Sequence, residues 1–288
     1  MGRCGEPSAE CVSISCARLL KPAICVYFQL HQPRRLRPID FFSIGAHPEY
    51  EDRRLNEEIL HKVSQNCYLP ALALFRDAVR RDGGGFRFGL SISGIALEQI
   101  CESAPDVLEL VGELVAGGRA ELLGETYEHS LSFLFSRSEF SREVLQHRAL
   151  VRRIFGVSPR VFRNTELLYN DEVSRAAGEL GFSGCLAEGV SWLLGSATPN
   201  EVRMGPEGGG VPVLLRHRRL SDDLAFRFGD PDWKEYPLRP EKFLEWVLAQ
   251  PGELVNLFMD LEALGEHLGK ETGIFEFWRE FIDLAVGS

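Results

Sequence analysis

Short apolar runs of four to eight residues alternate along this chain with longer stretches whose apolar positions recur every three or four. Runs of the first kind suit strands buried on both faces, and the longer stretches suit amphipathic helices. Seven strands are predicted, at residues 23–30, 86–92, 120–123, 160–163, 184–187, 211–215 and 253–259. Helices are predicted at about 56–80 (broken near Pro70), 94–102, 105–116, 138–155, 171–180 and 240–249. Gly117-Gly118 and Gly181 fall where helix-ending glycines belong. Gly83-Gly84-Gly85 punctuates ahead of the second run, and Glu207 to Gly210 reads as a flexible loop. Strand–helix alternation without hairpin signals predicts a parallel α/β sheet. Right-handed crossovers would close that sheet into a barrel or wind it as an open one.

The apolar run Leu254 to Met259 ends abruptly in polar residues: Asp260, Glu262, Glu266 and His267, with Gly265 among them. A carboxylate at the end of a buried strand costs several kcal/mol unless it is paired or used. Taken alone, Asp260 could simply cap a following helix. The pattern recurs, however: His31-Gln32, Ser93, Glu125 with His129, Glu166, Glu188, and His217 with Asp222 each follow a predicted strand. Several polar clusters on the rim where strands end are what a barrel active site requires. The stretch from Arg34 to Tyr50, first basic and then aromatic, is a long irregular loop of the kind that tends to be functional.

Composition narrows the chemistry. The chain has 288 residues, 44% hydrophobic and 26% charged, with a net charge of −10. That balance disfavours a nucleic-acid partner, since phosphate neutralisation needs a basic surface. No apolar run reaches the ~20 residues of a membrane span, and the first twenty residues lack the pattern of a secretory signal. A cytoplasmic protein is expected. The seven cysteines are irregularly spaced and include no C-x-x-C, so neither a disulfide framework nor a zinc ribbon is read from them. Cys25 and Cys185 are expected to fill core space. Cys4, Cys11 and Cys16 lie in residues 1–20, expected to be a disordered extension or the product of a misplaced start.

No phosphate-binding loop, H-E-x-x-H or G-x-S-x-G occurs. His31, His129, His217 and His267 follow strands, but no spacing among them selects metal-ligand geometry. They are read as hydrogen-bonding groups, with no metal or cofactor expected.

Taken in order, the clusters are His31-Gln32-Pro33, Gly124-Glu125-Thr126 with His129, Asn164-Thr165-Glu166-Leu167, and Met259-Asp260-Leu261-Glu262 with Gly265-Glu266-His267. This succession resembles glycoside hydrolase family 57, and within it the α-amylase-like branch, over about residues 22–280. The resemblance implies a single distorted (β/α)7 barrel spanning residues 21–288, with a Glu nucleophile after the fourth strand and an Asp general acid/base after the seventh. Those roles fall on Glu166 and Asp260. It implies substrate contacts from His31, Gln32, Glu125, His129, Glu262 and His267, and more loosely from His217, Asp223 and Trp233. The implied substrate is an α-1,4-glucan or maltooligosaccharide; oligomeric state is left open. Phe41, Phe42, Tyr127, Trp192 and Trp233 are candidate platforms for sugar faces, although such rings more often serve packing.

The chain departs from the family pattern at Glu128, where an aromatic is usual, and at Leu261, where a tyrosine-like residue is usual. It also ends at Ser288, where the family continues into a helical segment, so that segment is expected to be truncated or absent. A 4-α-glucanotransferase, a catalytically silent glucan-binding barrel and a metal-dependent deacetylase-like hydrolase are the alternatives.

Overall fold

The computed structural model describes residues 21–45, 49–81 and 85–288. The extension with Cys4, Cys11 and Cys16, and Gly83 and Gly84 of the glycine run, lie outside the described residues. All seven expected strands form: β1 (Ala23–Leu30), β2 (Phe88–Ile92), β3 (Ala120–Leu122), β4 (Val161–Arg163), β5 (Gly184–Glu188), β6 (Val213–Arg216) and β7 (Leu254–Asp260). They pair in parallel in the order β3-β2-β1-β7-β6-β5-β4. The two ends of this curled sheet meet just past β3. Gly124 donates its N–H to the Val161 carbonyl and accepts from the Arg163 N–H, both at 2.8 Å. The sheet therefore closes into a seven-stranded (β/α) barrel. Gly124 also leaves room for Phe182, whose ring packs on Phe162 of β4, because a Cβ at Gly124 would stand 2.4 Å from it.

The strand period of two sorts side chains into layers. On β1, Val26, Phe28 and Leu30 face the helices while Tyr27 and Gln29 face the barrel axis; on β7, Val255, Leu257 and Met259 face out while Phe258 and Asp260 face in. Tyr27, Leu123, Leu167, Leu186 and Phe258 form an apolar plug in the barrel. Tyr27 stacks on Phe258 with ring centroids 4.9 Å apart. Two residues further along each strand the inward positions turn polar: Gln29, Ser91, Glu125, Arg163, Glu188, Arg216 and Asp260. The site is built on this polar layer, floored by the plug.

Helices cover the outside: α1 (Arg53–Val63), α2 (Leu69–Arg81), α3 (Gly94–Ser103), α4 (Pro105–Ala116), α5 (Arg137–Phe155), α6 (Asp171–Glu179), short α7 (Ser191–Leu194) and α8 (Arg218–Asp222), α9 (Pro240–Leu248) and α10 (Ile274–Gly287). Phe28, Phe75, Phe243, Trp278 and Phe281 centre the larger outer core, and α5 and α6 bury Phe140 and Val173 against Phe162. Strand limits move by up to two residues from expectation, most at β2 and β6. The break expected near Pro70 is instead one turn of π-helix, Ser64–Tyr68, joining α1 to α2. Pro70 sits in the first turn of α2, where a missing N–H matters little. Cys185 is buried as expected, whereas Cys25 is only half-buried.

Candidate active site

Four loops at the carboxyl ends of the strands bring the candidate residues together. A cavity of about 230 Å³ is lined by Gln29, His31, Gln32, His129, Glu166, Asp260, Glu262 and His267. A second, of about 540 Å³, shares Gln29, Glu166, Asp260 and His267 with it and opens toward Glu188, Trp192, Arg216, Asp222 and Phe226. Glu166 and Asp260 thus stand where the two cavities join.

Glu166 lies beyond β4 in a 3-10 turn, Thr165–Leu167, and has φ +54°. His129, Glu166 and Leu167 are the non-glycine residues with positive φ among the described residues, and they cluster at this site. Such conformations cost on the order of 1–3 kcal/mol each and persist only where surroundings over-determine them. Here the Leu167 and Leu168 N–H groups donate to Asn164 and Thr165 carbonyls. Asn164 Nδ2 donates to Leu168 O, and Thr165 Oγ1 meets Thr126 Oγ1 at 2.9 Å. The pinned turn presents the Glu166 carboxylate outward, 71% exposed. His129 Nε2 stands 3.3 Å from Glu166 Oε1, and its Nδ1 3.2 Å from Glu125 Oε2.

Asp260 enters from the end of β7, opposite Gln29. Its side chain is exposed at the cavity opening, while the cavity walls withdraw part of it from bulk water. That withdrawal from bulk water pushes its carboxyl above the ordinary aspartate value; the Arg163 cation opposes the rise and the Glu166 charge adds to it. Glu262, buried one turn further, is pushed up to about 7, first by burial, against the hydrogen bond from Tyr68. Burial also drives His31 down to about 4, with His129 beside it adding to the shift. Its ring stacks on His129 at 4.1 Å and its Nδ1 meets Ser93 Oγ at 2.8 Å. A neutral imidazole with one nitrogen occupied leaves the other to face a ligand.

Glu125 is fully buried. Burial alone would raise its pKa, but His129 and Arg163 outweigh it and hold the carboxyl below its usual value. Ser91 Oγ donates to Glu125 Oε1 at 2.7 Å. Arg163, buried and lying over the Phe258 ring, donates to Gln29 Oε1, whose amide in turn faces His129.

Of the substrate contacts expected from sequence, His31, Gln32, His129, Glu262 and His267 line the smaller cavity, and Glu125 supports His129 from beneath. Asp223 and Trp233 line neither cavity. Asp223 is buried and takes an ion pair from Arg227, while Trp233 packs against the outer core near Trp246. His217 caps α8 and meets Gln250. Of the candidate platforms, Trp192 lines the larger cavity; Tyr127 is in the core, and Phe41 and Phe42 are exposed away from both cavities. Sequence reasoning did not single out Gln29, Ser91, Arg216 or Phe226. Gln29 and Ser91 had a signal, being polar residues at inward positions of predicted strands, and Arg216 directly follows one; Phe226 had none. Among the described residues, no group of three or more His, Cys, Asp or Glu is arranged to hold a metal ion.

A closed parallel barrel gathering carboxylates and imidazoles at its carboxyl-end rim has the architecture of a barrel enzyme. The chain matches the family described as Glycosyl hydrolase family 57 over residues 25–284, and it belongs to that family. It is 42% identical over 254 residues to a Methanocaldococcus jannaschii protein carrying the provisional name alpha-amylase, covering 88% of this chain and 54% of that one. The chain thus spans about half the length of the curated relative it matches. The 4-alpha-glucanotransferase of Thermococcus litoralis superposes with a TM-score of 0.71 at 15% identity, over 93% of this chain and 38% of that one. A family 57 branching enzyme of Thermococcus kodakaraensis, solved with glucose, gives 0.67 at 13% identity, over 93% and 69% of the two chains. These two likenesses are likenesses of fold.

Proposed function

We propose that this chain carries the catalytic barrel of a retaining glycoside hydrolase acting on α-1,4-glucans. In this reading Glu166 is the nucleophile and Asp260 the general acid/base. The observation that carries the proposal is the placement of these two carboxyl groups, from β4 and β7, at the junction of two cavities. The name of the Methanocaldococcus jannaschii relative supports a starch-like substrate. Cytoplasmic action on starch, glycogen or maltooligosaccharides belongs to the same proposal.

Retaining hydrolysis needs two carboxyls about 5–5.5 Å apart, one ionised and one protonated. The exposed Glu166 carboxylate attacks the anomeric carbon while Asp260 gives its proton to the departing glycosidic oxygen. A covalent glycosyl-enzyme ester results, and the shortened glucan leaves with a new hydroxyl. Asp260, now ionised, takes a proton from water; the oxygen attacks the anomeric carbon and frees Glu166. Asp260's raised pKa suits the first step. Hydrolysis and transfer share this intermediate and differ only in whether water or a glucan hydroxyl accepts the sugar.

The test is incubation with soluble starch and with maltoheptaose, with products separated by chromatography. Shorter products from the parent protein, lost in Glu166→Gln, are expected; longer products as well would make the chain a transferase. Asp260→Asn should cut turnover on maltoheptaose by roughly 10²–10⁴-fold. It should spare formation of the intermediate from an aryl glucoside whose leaving group needs no proton. Undiminished turnover by Glu166→Gln would remove the nucleophile assignment.

A further inference from the structure

The hydrogen bonds behind the smaller cavity run in one direction. Arg35, which can only donate, gives Nη2 to Gln32 Oε1 at 3.1 Å. This sets the orientation of the Gln32 amide, so its Nε2 donates to the Tyr68 oxygen at 3.1 Å. Tyr68 directs its own hydrogen to Glu262 Oε1 at 2.5 Å. Each link thus points from a half-buried guanidinium toward a buried carboxyl. A chain of donors ending on a carboxylate favours its charged form, opposing the effect of burial. The Gln32 amide, close behind Tyr68, also lowers the Glu262 pKa.

Tyr68 reaches Glu262 because the π-turn between α1 and α2 grips the segment after β7. Cys67 Sγ donates to Leu261 O at 3.0 Å, and Lys62 Nζ pairs with Glu266 Oε1 at 2.5 Å. Gly265, with φ +110°, lies so close that a Cβ would stand 2.0 Å from Asn66 O. Arg35 and Tyr68 belong to none of the sequence clusters that mark the site.

We propose that Tyr68 is a positioning residue for Glu262, with Arg35 and Gln32 setting its direction. The chain holds the Glu262 carboxyl at the cavity wall beside Asp260 as an acceptor for a sugar hydroxyl. The catalytic half of this proposal rests on the glycosidase reading; the positioning half does not. The titratable groups facing Glu262 are Tyr68 and Cys67 on the π-turn and Asp260 ahead of it. His31, His129, Glu166 and His267 stand around the same cavity. The Asp260 charge adds to the rise of the Glu262 carboxyl, so the two carboxyls are electrostatically coupled.

The test is Tyr68→Phe in the full chain, with the Glu262 carboxyl followed by carbon-13 NMR and assigned by its loss in Glu262→Gln. Without the phenol hydrogen, the Glu262 midpoint should rise by roughly one pH unit. Arg35→Ala should shift it the same way by less, Arg35→Lys should restore it in part, and Cys67→Ala should leave it in place. On maltoheptaose, the acid limb of the Tyr68→Phe pH profile of kcat/KM should move to higher pH, with KM raised. The limb moves because Glu262 ionises later and becomes a charged acceptor for the sugar hydroxyl only at higher pH. An unmoved Glu262 midpoint in both Tyr68→Phe and Arg35→Ala would overturn the positioning role. A parent protein that cleaves no glucan, with the midpoint still shifting, would sink the glycosidase reading and leave the positioning intact.

Discussion

Glu262 illustrates how one residue ties the site to stability. Its carboxyl titrates at about 7 in the fold against an ordinary 4.5. Between these values the folded chain holds a proton that the unfolded chain releases. The raised value therefore contributes stability that is fully present below the unfolded pKa and is lost as pH rises through about 7. Glu262→Gln stays neutral at every pH and escapes this loss. Urea unfolding at pH 5 and pH 8 should show the parent losing roughly 2–3 kcal/mol more than the variant between the two. Equal losses would mean that Glu262 titrates normally in the fold.

At the scale of elements, the site depends on close backbone approaches. Gly265 is pressed against the π-turn at Asn66, whereas Gly118, also at positive φ, has nothing within 4 Å of a would-be Cβ. Gly118→Ala should cost about 1 kcal/mol from backbone strain alone. Gly265→Ala adds a backbone clash and should cost about 2–4 kcal/mol, with activity falling as the Glu262–His267 turn shifts. Thermal unfolding of the two variants side by side would check this. Equal costs would show that the grip on the turn is looser than the distances imply. The π-turn itself is one residue of extra winding that turns Tyr68 toward the segment after β7. A residue-by-residue helical period does not reveal it, because its partners lie 194 residues away.

Over the whole molecule, the barrel is weakest at its two seams. One is the bridge at Gly124; the other is β6–β7, where register holds at a single pair, Arg216 and Asn256. Side chains reinforce the second seam. Asn256 Nδ2 donates to Leu215 O, Arg216 Nε donates to Phe258 O, and the Phe258 N–H donates to Ser221 Oγ. Ser221→Ala would leave that buried N–H unpaired, at a cost of about 1–3 kcal/mol. Hydrogen exchange should then show the Phe258 amide losing protection ahead of Phe28 on the neighbouring strand. Unchanged protection would mean that the seam has another support.

The seven strands, their parallel pairing and the rim that carries Glu166 and Asp260 were legible in the chain itself. Periodicity is local, and a polar residue after a buried run announces its own cost. Family motifs also pointed to His31, His129, Glu262 and His267, which the fold gathers around one cavity. Periodicity alone left closure through Gly124 open between barrel and open sheet, and only the family resemblance implied the barrel, because closure depends on two segments meeting about forty residues apart. The same holds for the removal of Asp223 and Trp233 from the cleft, and for the donor chain from Arg35 to Glu262. Local sequence determines which residues stand at strand ends. Which atoms meet there, which way each hydrogen points and how much water each carboxyl loses are settled only when distant segments pack together.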